Sequence, residues 1–302
     1  MTLSRKSDKL NGKFTLRKDV LSMKDLGYYN GKYDLIENMV IPMNDRVCYF
    51  GDGVYDATYS KNHKIYMLDA HIDRFFSSAE KLKMVIPHTK EELKELLCDL
   101  VSKVDDGEQF VYWQLTRGTA PRNHAIARPL VPGNLWVMLR PAKTQDINRK
   151  LKLITMPDTR FLHCDIKTLN LIPAVMASDA AALAGCDETV FHRDGRVTEC
   201  AHSNVHIIKD GVFRTAPTDN LILPGIARAN LIRFCGMRGI PVCEEPFSID
   251  ELMNADEVIV SSSGSFCLEA VEIDGKPVGG KAPELLRSIQ DTAVKDFEES
   301  TK

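Results

Sequence analysis

Two charged residues of this sequence lie beside small or turn-forming residues, as groups lining a crevice often do. They are Lys167, in HCDIKTLNLIP, and Glu199, in VTECAHSN. Lysine is rarely buried without a partner, so the Lys167 ammonium either reaches water or a counter-charge, or its surroundings favour the neutral, reactive amine. A third feature is Gly225 in LPGIAR, at the start of a predicted helix, where unpaired N–H groups and the helix dipole favour an anion.

Each of these features also has a purely structural explanation. A lysine and a glutamate most often belong to a solvated face, and Gly225 can simply end a turn. The combination is more informative, because it offers an amine for an aldehyde, a carboxylate for a protonated ring nitrogen and a cup for a phosphate. Pyridoxal phosphate requires all three.

Composition narrows the class of protein. The chain has 302 residues, which is enough for two domains with separate cores. Its 39 basic and 42 acidic residues are well mixed, with a net charge of -3, so we expect small-molecule substrates and no nucleic acid. No apolar run approaches the roughly 20 residues of a membrane span, and no secretion signal begins the chain, which predicts a soluble cytoplasmic protein. The eight cysteines include no CxxC pair, so no metal site is expected.

The first half of the sequence alternates strand-like runs with two helices. Hairpins are predicted at the Asn30-Gly31 turn and within ATYSKNHKIYML. Asp69 is expected to cap a helix through AHIDRFFSSAEKLKM, and the capping box Thr-Lys-Glu-Glu, from Thr89, opens the next helix. QFVYWQLTRG and NLWVMLRP are read as further strands.

The second half begins with the strand-like run LKLITMP. The alanine-rich LIPAVMASDAAALAGC predicts a helix that ends near Gly185, and Asp-Gly pairs at 194–195 and 210–211 predict two hairpins. A helix from about Gly225, a capping box at Ser248, the strand EVIVSSS, a hairpin in CLEAVEIDGKPVGG and a final helix from PELLRS follow. Lys167 and Glu199 are assigned to different strands of this half.

These elements predict a two-domain α/β (α+β) fold. A smaller N-terminal α+β domain spans residues 1–140 and includes an extension over 1–27. The polar segment 141–149 is read as a linker, and a larger, β-rich C-terminal domain with helices spans 150–302. We expect the cofactor in the cleft between the two domains.

A series of ordered motifs between about Tyr28 and Phe297 resembles a known family. The motifs are FGDGVYD (50–56), HIDR (71–74), QLTRGTAPRNH (114–124), CDIKTLN (164–170), VTECAHSN (197–204), LPGIAR (223–228) and EIDGK (272–276). In this order they resemble the class IV, fold-type IV pyridoxal-phosphate transaminases, and most closely the D-amino-acid transaminases.

The resemblance implies a role for each feature described above. It implies that Lys167 forms a Schiff base with pyridoxal 5'-phosphate and later moves a proton, and that Glu199 pairs with the pyridinium nitrogen. The implied phosphate ligands are Arg74, the backbone of Ile226 and Ala227, and Ser263. The implied reaction is ping-pong transfer of an amino group from a D-amino acid of the D-alanine type to a 2-oxo acid, 2-oxoglutarate.

Substrate choice is expected to depend on Arg122 and His124. Separated by one residue on a loop, they can point the same way and hold a carboxylate, although alone they would be read as surface charge. The resemblance implies a carboxylate trap, assisted by Tyr55 and contributed across the interface of a homodimer. The alternatives are an (R)-amine or branched-chain aminotransferase, 4-amino-4-deoxychorismate lyase, or a cofactor-binding protein without turnover.

The sequence departs from the family pattern near the expected cofactor. Cys200, Ala201 and His202 follow the glutamate where small residues and serines are usual, and His202 either tunes the ring or, as we favour, fills space. Ala227 and Gly264 replace common hydroxyl residues, which predicts weaker cofactor binding.

Overall fold

Two β-sheets, one from each half of the chain, flank the segment that carries Lys167. The computed structural model describes residues 23–302. Most of the predicted extension, residues 1–22, therefore lies outside the described residues. Between the two sheets, residues 142–149 contain no helix or strand, and the domain boundary placed there stays a prediction.

The first sheet has six antiparallel strands in the order β2-β1-β6-β5-β3-β4. The strands are β1 Leu26–Tyr29, β2 Lys32–Asp34, β3 Gly53–Lys61, β4 Lys64–Ile65, β5 Gln109–Thr116 and β6 Asn134–Pro141. The Asn30-Gly31 turn joins β1 to β2, with both residues at positive φ as this hairpin requires. Both predicted hairpins of this half are confirmed.

The second sheet has nine strands and mixed direction, in the order β12-β11-β10-β13-β14-β7-β8-β9, with β15 beside β14. The strands are β7 Lys150–Pro157, β8 Glu188–Arg193, β9 Arg196–Cys200, β10 Asn204–Lys209, β11 Val212–Thr215, β12 Val242–Cys243, β13 Glu257–Ser261, β14 Leu268–Ile273 and β15 Lys276–Pro277. β7 runs parallel to both β8 and β14. The Asp-Gly pairs at 194–195 and 210–211 close hairpins as predicted.

Helices cover both sheets. They are α1 Arg46–Phe50, α2 Leu68–Lys81, α3 Lys90–Val101, α4 Ile172–Leu183, α5 Ile226–Met237, α6 Ile249–Met253 and α7 Pro283–Ser300. Thr89 and Ser248 form the predicted capping boxes of α3 and α6. The cap predicted at Asp69 is wrong: α2 begins at Leu68 after Met67, and Asp69 lies in its first turn, where a carboxylate still favours the helix dipole.

The apolar faces of the elements form several buried core clusters. In the first half, α2 and α3 pack on the sheet around Trp113 and Phe75, both fully buried. In the second half, one cluster lies around Val190 and Val260, and another joins α5 and α7 around Phe234. This last cluster also contains Tyr66 from the first half, so the two halves pack against each other.

Candidate active site

Lys167 lies at the junction of the two sheets, on the extended segment between β7 and α4. The strand predicted for it is wrong, because the segment forms only an isolated bridge, between Thr168 and Val54 of β3. The Tyr55 N–H donates to the Lys167 carbonyl at 3.0 Å, and the Lys167 N–H donates to the Ser78 hydroxyl of α2 at 3.2 Å. Bonds to β3 and α2 of the first half therefore hold a residue that lies between β7 and α4 of the second half.

The Lys167 side chain faces an aromatic ring. Its Nζ lies 4.2 Å from the centroid of the Tyr55 ring, a cation–π contact. Tyr55 itself stacks on Tyr112 with ring centroids 5.4 Å apart. Lys167 is partly exposed, and within residues 23–302 its ammonium has no ion-pair partner. The amine is therefore held in place by its backbone while its nitrogen stays accessible.

The Glu199 carboxylate lies in a buried polar cluster of the second sheet. It lies in β9 and is 5% exposed. Oε1 is ion-paired with Nη1 of Arg160, while Oε2 accepts from Nδ2 of Asn204 at 2.9 Å and from the Leu223 N–H at 3.1 Å. Arg160 is shared, because its Nε and Nη2 donate to Asp158 at 2.9 and 2.8 Å. Glu199 thus receives one arm of a guanidinium that a second carboxylate also uses.

This environment leaves the Glu199 carboxyl able to titrate near neutrality. Burial raises the pKa of Glu199 to about 7, although the Arg160 charge and hydrogen bond, the Leu223 N–H and the Lys167 charge act to lower it. An additional cation beside the carboxylate would favour the ionised form. The carboxyl is therefore suited to respond to a protonated ring nitrogen.

Arg74 belongs to a second buried cluster, which also contains Asp56 and His71. Arg74 donates through Nε to Asp56 Oδ2 at 2.9 Å and through Nη2 to Oδ1 at 2.7 Å, and His71 Nδ1 lies 2.7 Å from the same Oδ1. Arg74 Nη1 donates to the carbonyl of Pro224 at 3.3 Å. Burial acts to raise the pKa of Asp56, but the charges of Arg74 and His71 hold it well below its ordinary value. Arg74 is therefore a fixed cation beside the start of α5.

The N-terminus of α5 offers backbone donors to an anion. The helix begins at Ile226 after Gly225, and no side chain caps it. The first N–H groups of a helix lack intrahelical partners, so those of Ile226 and Ala227 are available. Both residues line one cavity together with Ser263 and His71. Ile226, Ala227 and Ser263 of the expected phosphate ligands therefore share one cavity, and Arg74 lines a second cavity with Ile226.

Asn204 links the N-terminus of α5 to the Glu199 cluster. Besides donating to Glu199, its Nδ2 lies 3.2 Å from the carbonyl of Leu223. A Cβ at Gly225 would lie only 2.0 Å from Asn204 Oδ1. Glycine at this position therefore allows α5 to begin in contact with the carboxylate cluster.

Arg122 and His124 lie on the exposed loop between β5 and β6. Both pack on Phe50: the Arg122 guanidinium carbon is 5.3 Å from the ring centroid, and the His124 ring is 4.9 Å away. Arg46 Nη1 donates to the Asn123 carbonyl at 2.6 Å. Within the described part of the chain, neither Arg122 nor His124 forms a hydrogen bond, ion pair or ring contact with Lys167. The pair points toward one ring, as its spacing suggested, but one chain alone does not bring it to the lysine.

Sequence reasoning missed several residues of these clusters. Asp56 lies within FGDGVYD and His71 within HIDR, so these motifs could have identified both residues. Arg160 and Asp158 are close in sequence, in PDTR, but nothing local connects them with a glutamate 39 positions away. That pairing exists only in the folded sheet.

One departure from the family pattern, at Gly264, has a structural explanation. A Cβ at Gly264 would lie 2.7–2.9 Å from the Tyr59 ring, so a hydroxyl residue has no space there. The expectation that His202 fills space is wrong, because its side chain is 69% exposed.

Neither a metal centre nor a membrane-spanning helix is found in the described part of the chain, residues 23–302. Within residues 23–302, no group of three or more His, Cys, Asp or Glu residues could hold a metal ion. None of the helices described there is long and apolar enough to cross a membrane.

Comparison with solved structures defines the class of fold. The Escherichia coli branched-chain amino acid aminotransferase superposes with a TM-score of 0.83 at 20% identity, covering 93% of this chain and 97% of that one. The branched-chain aminotransferase of the archaeon Thermoproteus uzoniensis, solved with norvaline, superposes with a TM-score of 0.81 at 20% identity, covering 91% and 96%. At these identities the likeness establishes the fold, which is that of the fold-type IV aminotransferases.

Sequence comparison then gives the family. Residues 53–273 match the model of the amino-transferase class IV family. The chain is 42% identical over 266 residues to a D-alanine aminotransferase of Listeria monocytogenes, covering 86% of this chain and 92% of that protein. It is 36% identical over 267 residues to a D-alanine aminotransferase of Staphylococcus haemolyticus, covering 87% and 95%. The chain belongs to the class IV aminotransferase family, and the predicted family is confirmed.

Proposed function

We propose that this chain is a pyridoxal-5'-phosphate-dependent transaminase that moves an amino group from a D-amino acid of the D-alanine type to a 2-oxo acid such as 2-oxoglutarate. The observation that carries the proposal is the placement of one accessible amine, on Lys167, between a buried carboxylate and an uncapped helix N-terminus. The D-alanine aminotransferases among the relatives support the choice of donor.

The donor set fits this cofactor. An aldehyde needs an amine, and Lys167 is accessible. A protonated ring nitrogen needs a carboxylate whose ionised form it can stabilise, and the raised pKa of Glu199 meets that need. A phosphate needs fixed donors, and Arg74, the first N–H groups of α5 and Ser263 lie together around the start of the helix.

Each residue then has a chemical task. When bound, the cofactor supplies an electron sink that accepts density as the bond from the substrate Cα to hydrogen breaks. Lys167 moves that proton, acting as a general base and then as a general acid, and its backbone bonds to Tyr55 and Ser78 keep the amine at one position. Because a misplaced base loses much of its efficiency, this anchoring contributes directly to rate.

Glu199 and Arg160 act on the electronic side of the reaction. The Glu199 carboxylate would stabilise the positive charge on the ring nitrogen, and the Arg160 charge acts together with it to favour the ionised carboxylate. Asn204 and the Leu223 N–H fix its orientation. A carboxylate held by three donors needs little reorganisation when charge develops.

Recognition of the substrate carboxylate is assigned to Arg122 and His124, with Tyr55 beside Lys167. The Arg46 bond to the intervening Asn123 carbonyl orders the loop that carries the pair. Because these two side chains make no polar contact with Lys167 of the same chain, we assign them to the site of a second copy in a homodimer.

An exposed apolar surface supports this second copy. The exposed large apolar side chains of α4 are Ile172, Val175, Met176 and Leu183. Exposed apolar patches of this kind mark contact surfaces. We further propose that residues 1–140 and 150–302 are separate domains around the linker 141–149, and that the enzyme acts in the cytoplasm.

The visible spectrum of the purified protein tests the proposal. The protein is loaded with pyridoxal phosphate and its cofactor absorption band is recorded, and then D-alanine and L-alanine are added to separate samples. We expect D-alanine alone to remove the band and 2-oxoglutarate to restore it, with D-glutamate as product. A response to L-alanine alone would contradict the assignment of Arg122 and His124, and a protein that takes up no cofactor would contradict the whole proposal.

The alternatives are separated by substrate. Removal of the band by L-leucine would indicate a branched-chain enzyme, and by an (R)-amine the related amine transaminase. Release of pyruvate from 4-amino-4-deoxychorismate would indicate the lyase. A protein that binds the cofactor and turns over none of these compounds would be a binding protein.

A further inference from the structure

The turn between β9 and β10 carries a histidine whose ring is fixed at one edge and open at the other. His202 Nδ1 is bound to Oε2 of Glu188, a residue of β8 that is only 2% exposed. The Ser203 hydroxyl donates to the same oxygen at 2.6 Å. Within the described residues the His202 Nε2 has no hydrogen-bond partner. The ring therefore presents Nε2 to solvent in a defined direction.

This turn belongs to the rim of the candidate active site. Glu199 immediately precedes it and Asn204 immediately follows it, and the two are hydrogen-bonded to each other. The Cys200 N–H closes the turn by donating to the Ser203 carbonyl at 2.7 Å. The residues at both ends of this four-residue turn are thus hydrogen-bonded to each other at the Glu199 carboxylate. His202 therefore lies close to the candidate active site.

The surroundings of His202 favour the imidazolium. Its hydrogen bond to Glu188 raises the pKa of His202, with a smaller contribution from the Glu188 charge, while burial and the Lys167 ammonium act in the opposite direction. Among the described residues, Glu188 has no Lys or Arg as an ion-pair partner, so His202 is its cation. The titratable groups that act on the ring are therefore Glu188 from β8 and Lys167 from the segment before α4.

We propose that His202 determines substrate specificity by binding the distal carboxylate of dicarboxylic amino acids and oxo acids. This inference rests on the proposed function, which places the reacting end of the substrate at Lys167. An imidazolium N–H forms a charge-assisted bond to a carboxylate, whereas a serine would offer only a neutral donor. A second anion-binding group at the rim favours acidic D-amino acids and 2-oxo diacids over their monocarboxylic counterparts.

Two substitutions separate charge from shape. His202→Gln keeps a hydrogen-bonding side chain and removes the charge, and His202→Lys keeps a positive charge. With the holoenzyme, we expect His202→Gln to lower kcat/KM for D-glutamate roughly tenfold or more while that for D-alanine changes less than about twofold. We expect His202→Lys to retain most of the preference for D-glutamate.

A binding measurement provides a readout that does not depend on turnover. Calorimetric titration with glutarate, an unreactive diacid, and with butyrate, its monoacid counterpart, should show that only glutarate binding weakens in His202→Gln. Because the imidazolium loses its charge as pH rises through its pKa, the preference for glutarate should decline with pH in the wild type and persist to higher pH in His202→Lys.

The failures are distinguishable. Equal losses for D-glutamate and D-alanine would show that His202 only supports the turn, and no change for either would show that it has no role in recognition; both results overturn the inference. If the wild type turns over neither substrate, the proposed function fails, and unchanged glutarate binding in His202→Gln would then reject the inference independently.

Discussion

Two buried carboxylates, one from each sheet, flank the site, and their pKa values are shifted in opposite directions. Asp56 of the first sheet has a pKa held well below its ordinary value, whereas the pKa of Glu199 in the second sheet is raised to about 7. Both are almost inaccessible, and each is paired with an arginine, Arg74 or Arg160. Burial therefore does not by itself decide whether such a group is charged.

The difference lies in how each guanidinium is shared. Arg74 gives two N–H groups to Asp56, and His71 and the Ala57 N–H donate to the same carboxylate. Arg160 gives two N–H groups to Asp158 and only one to Glu199.

This division corresponds to two tasks. A carboxylate with a dedicated cation stays charged and holds a structural element, here the helix that carries Arg74. A carboxylate with a shared cation stays responsive, and a ligand can set its protonation. The first cluster is thus suited to positioning and the second to chemistry.

The largest effect is expected from removing the amine that the two clusters surround. Lys167→Ala should lower turnover by roughly 10⁴-fold, because the proton transfer loses its base. Lys81→Ala is the matched control. Lys81 forms a partly exposed ion pair with Asp165, which lies two residues before Lys167 in the sequence. Steady-state assays with D-alanine and 2-oxoglutarate measure both. Undiminished turnover in Lys167→Ala would show that the amine between the two clusters is not the base of the reaction.

The next effect concerns stability. Asp56→Asn leaves Arg74 buried without its counter-charge and should lower the free energy of unfolding by about 3–5 kcal/mol at pH 7. Because the folded-state pKa of Asp56 is lowered, its contribution is present above the ordinary aspartate pKa and is lost as pH falls below about 4. Urea titrations of wild type and variant should therefore converge at acid pH.

Asp73→Asn is the control for that measurement. Asp73 lies in the same HIDR motif, but its ion pair with Lys90 is exposed. We expect a change of at most about 1 kcal/mol. Equal destabilisation by the two substitutions would show that the buried ion pair of Asp56 contributes no more to stability than the exposed pair of Asp73.

Glu199→Gln tests the responsive carboxylate. It should lower turnover roughly 100-fold, because a preorganised charge is removed. Since the folded-state pKa of Glu199 is raised, the favourable contribution of its protonated form is complete below the ordinary glutamate pKa and is lost as pH rises through about 7. The variant should therefore gain stability relative to the wild type between about pH 4.5 and 7. A loss of stability like that of Asp56→Asn would erase the distinction between the clusters.

Local chemistry in the sequence was sufficient for most of the elements. The Asn30-Gly31 and Asp-Gly turns and the capping boxes at Thr89 and Ser248 are encoded by residues within four positions of each other, and the structure confirms them. The family and its fold are confirmed as well. Asp69 failed as a cap because α2 begins at Leu68, two residues earlier than that cap requires, with the Leu68 side chain packed into the core.

What failed or was missed depends on contacts between distant segments. Lys167 lies on no strand because its segment makes only an isolated bridge, to a residue of β3 more than 100 positions earlier. Arg160 was missed because only the fold brings it to Glu199, and His202 was misjudged because its partner, Glu188, lies on another strand. The roles assigned to the predicted site residues stay predictions until the substitutions are made.

The smallest effect should come from altering how the shared cation is divided. Arg160→Lys keeps the charge but cannot reach Asp158 and Glu199 with three N–H groups in a fixed fork. Glu199 would lose part of its stabilising donor, so its pKa should rise and the acid limb of the kcat–pH profile should move to higher pH. We expect roughly a tenfold loss of turnover at pH 7, the equivalent of one hydrogen bond to a charged group. Arg193→Lys is the control, because Arg193 donates to Asp158 but not to Glu199, and its acid limb should stay in place. An acid limb that moves equally in both variants would mean that contacts to Asp158, rather than the sharing of Arg160 between Asp158 and Glu199, determine the pKa of Glu199.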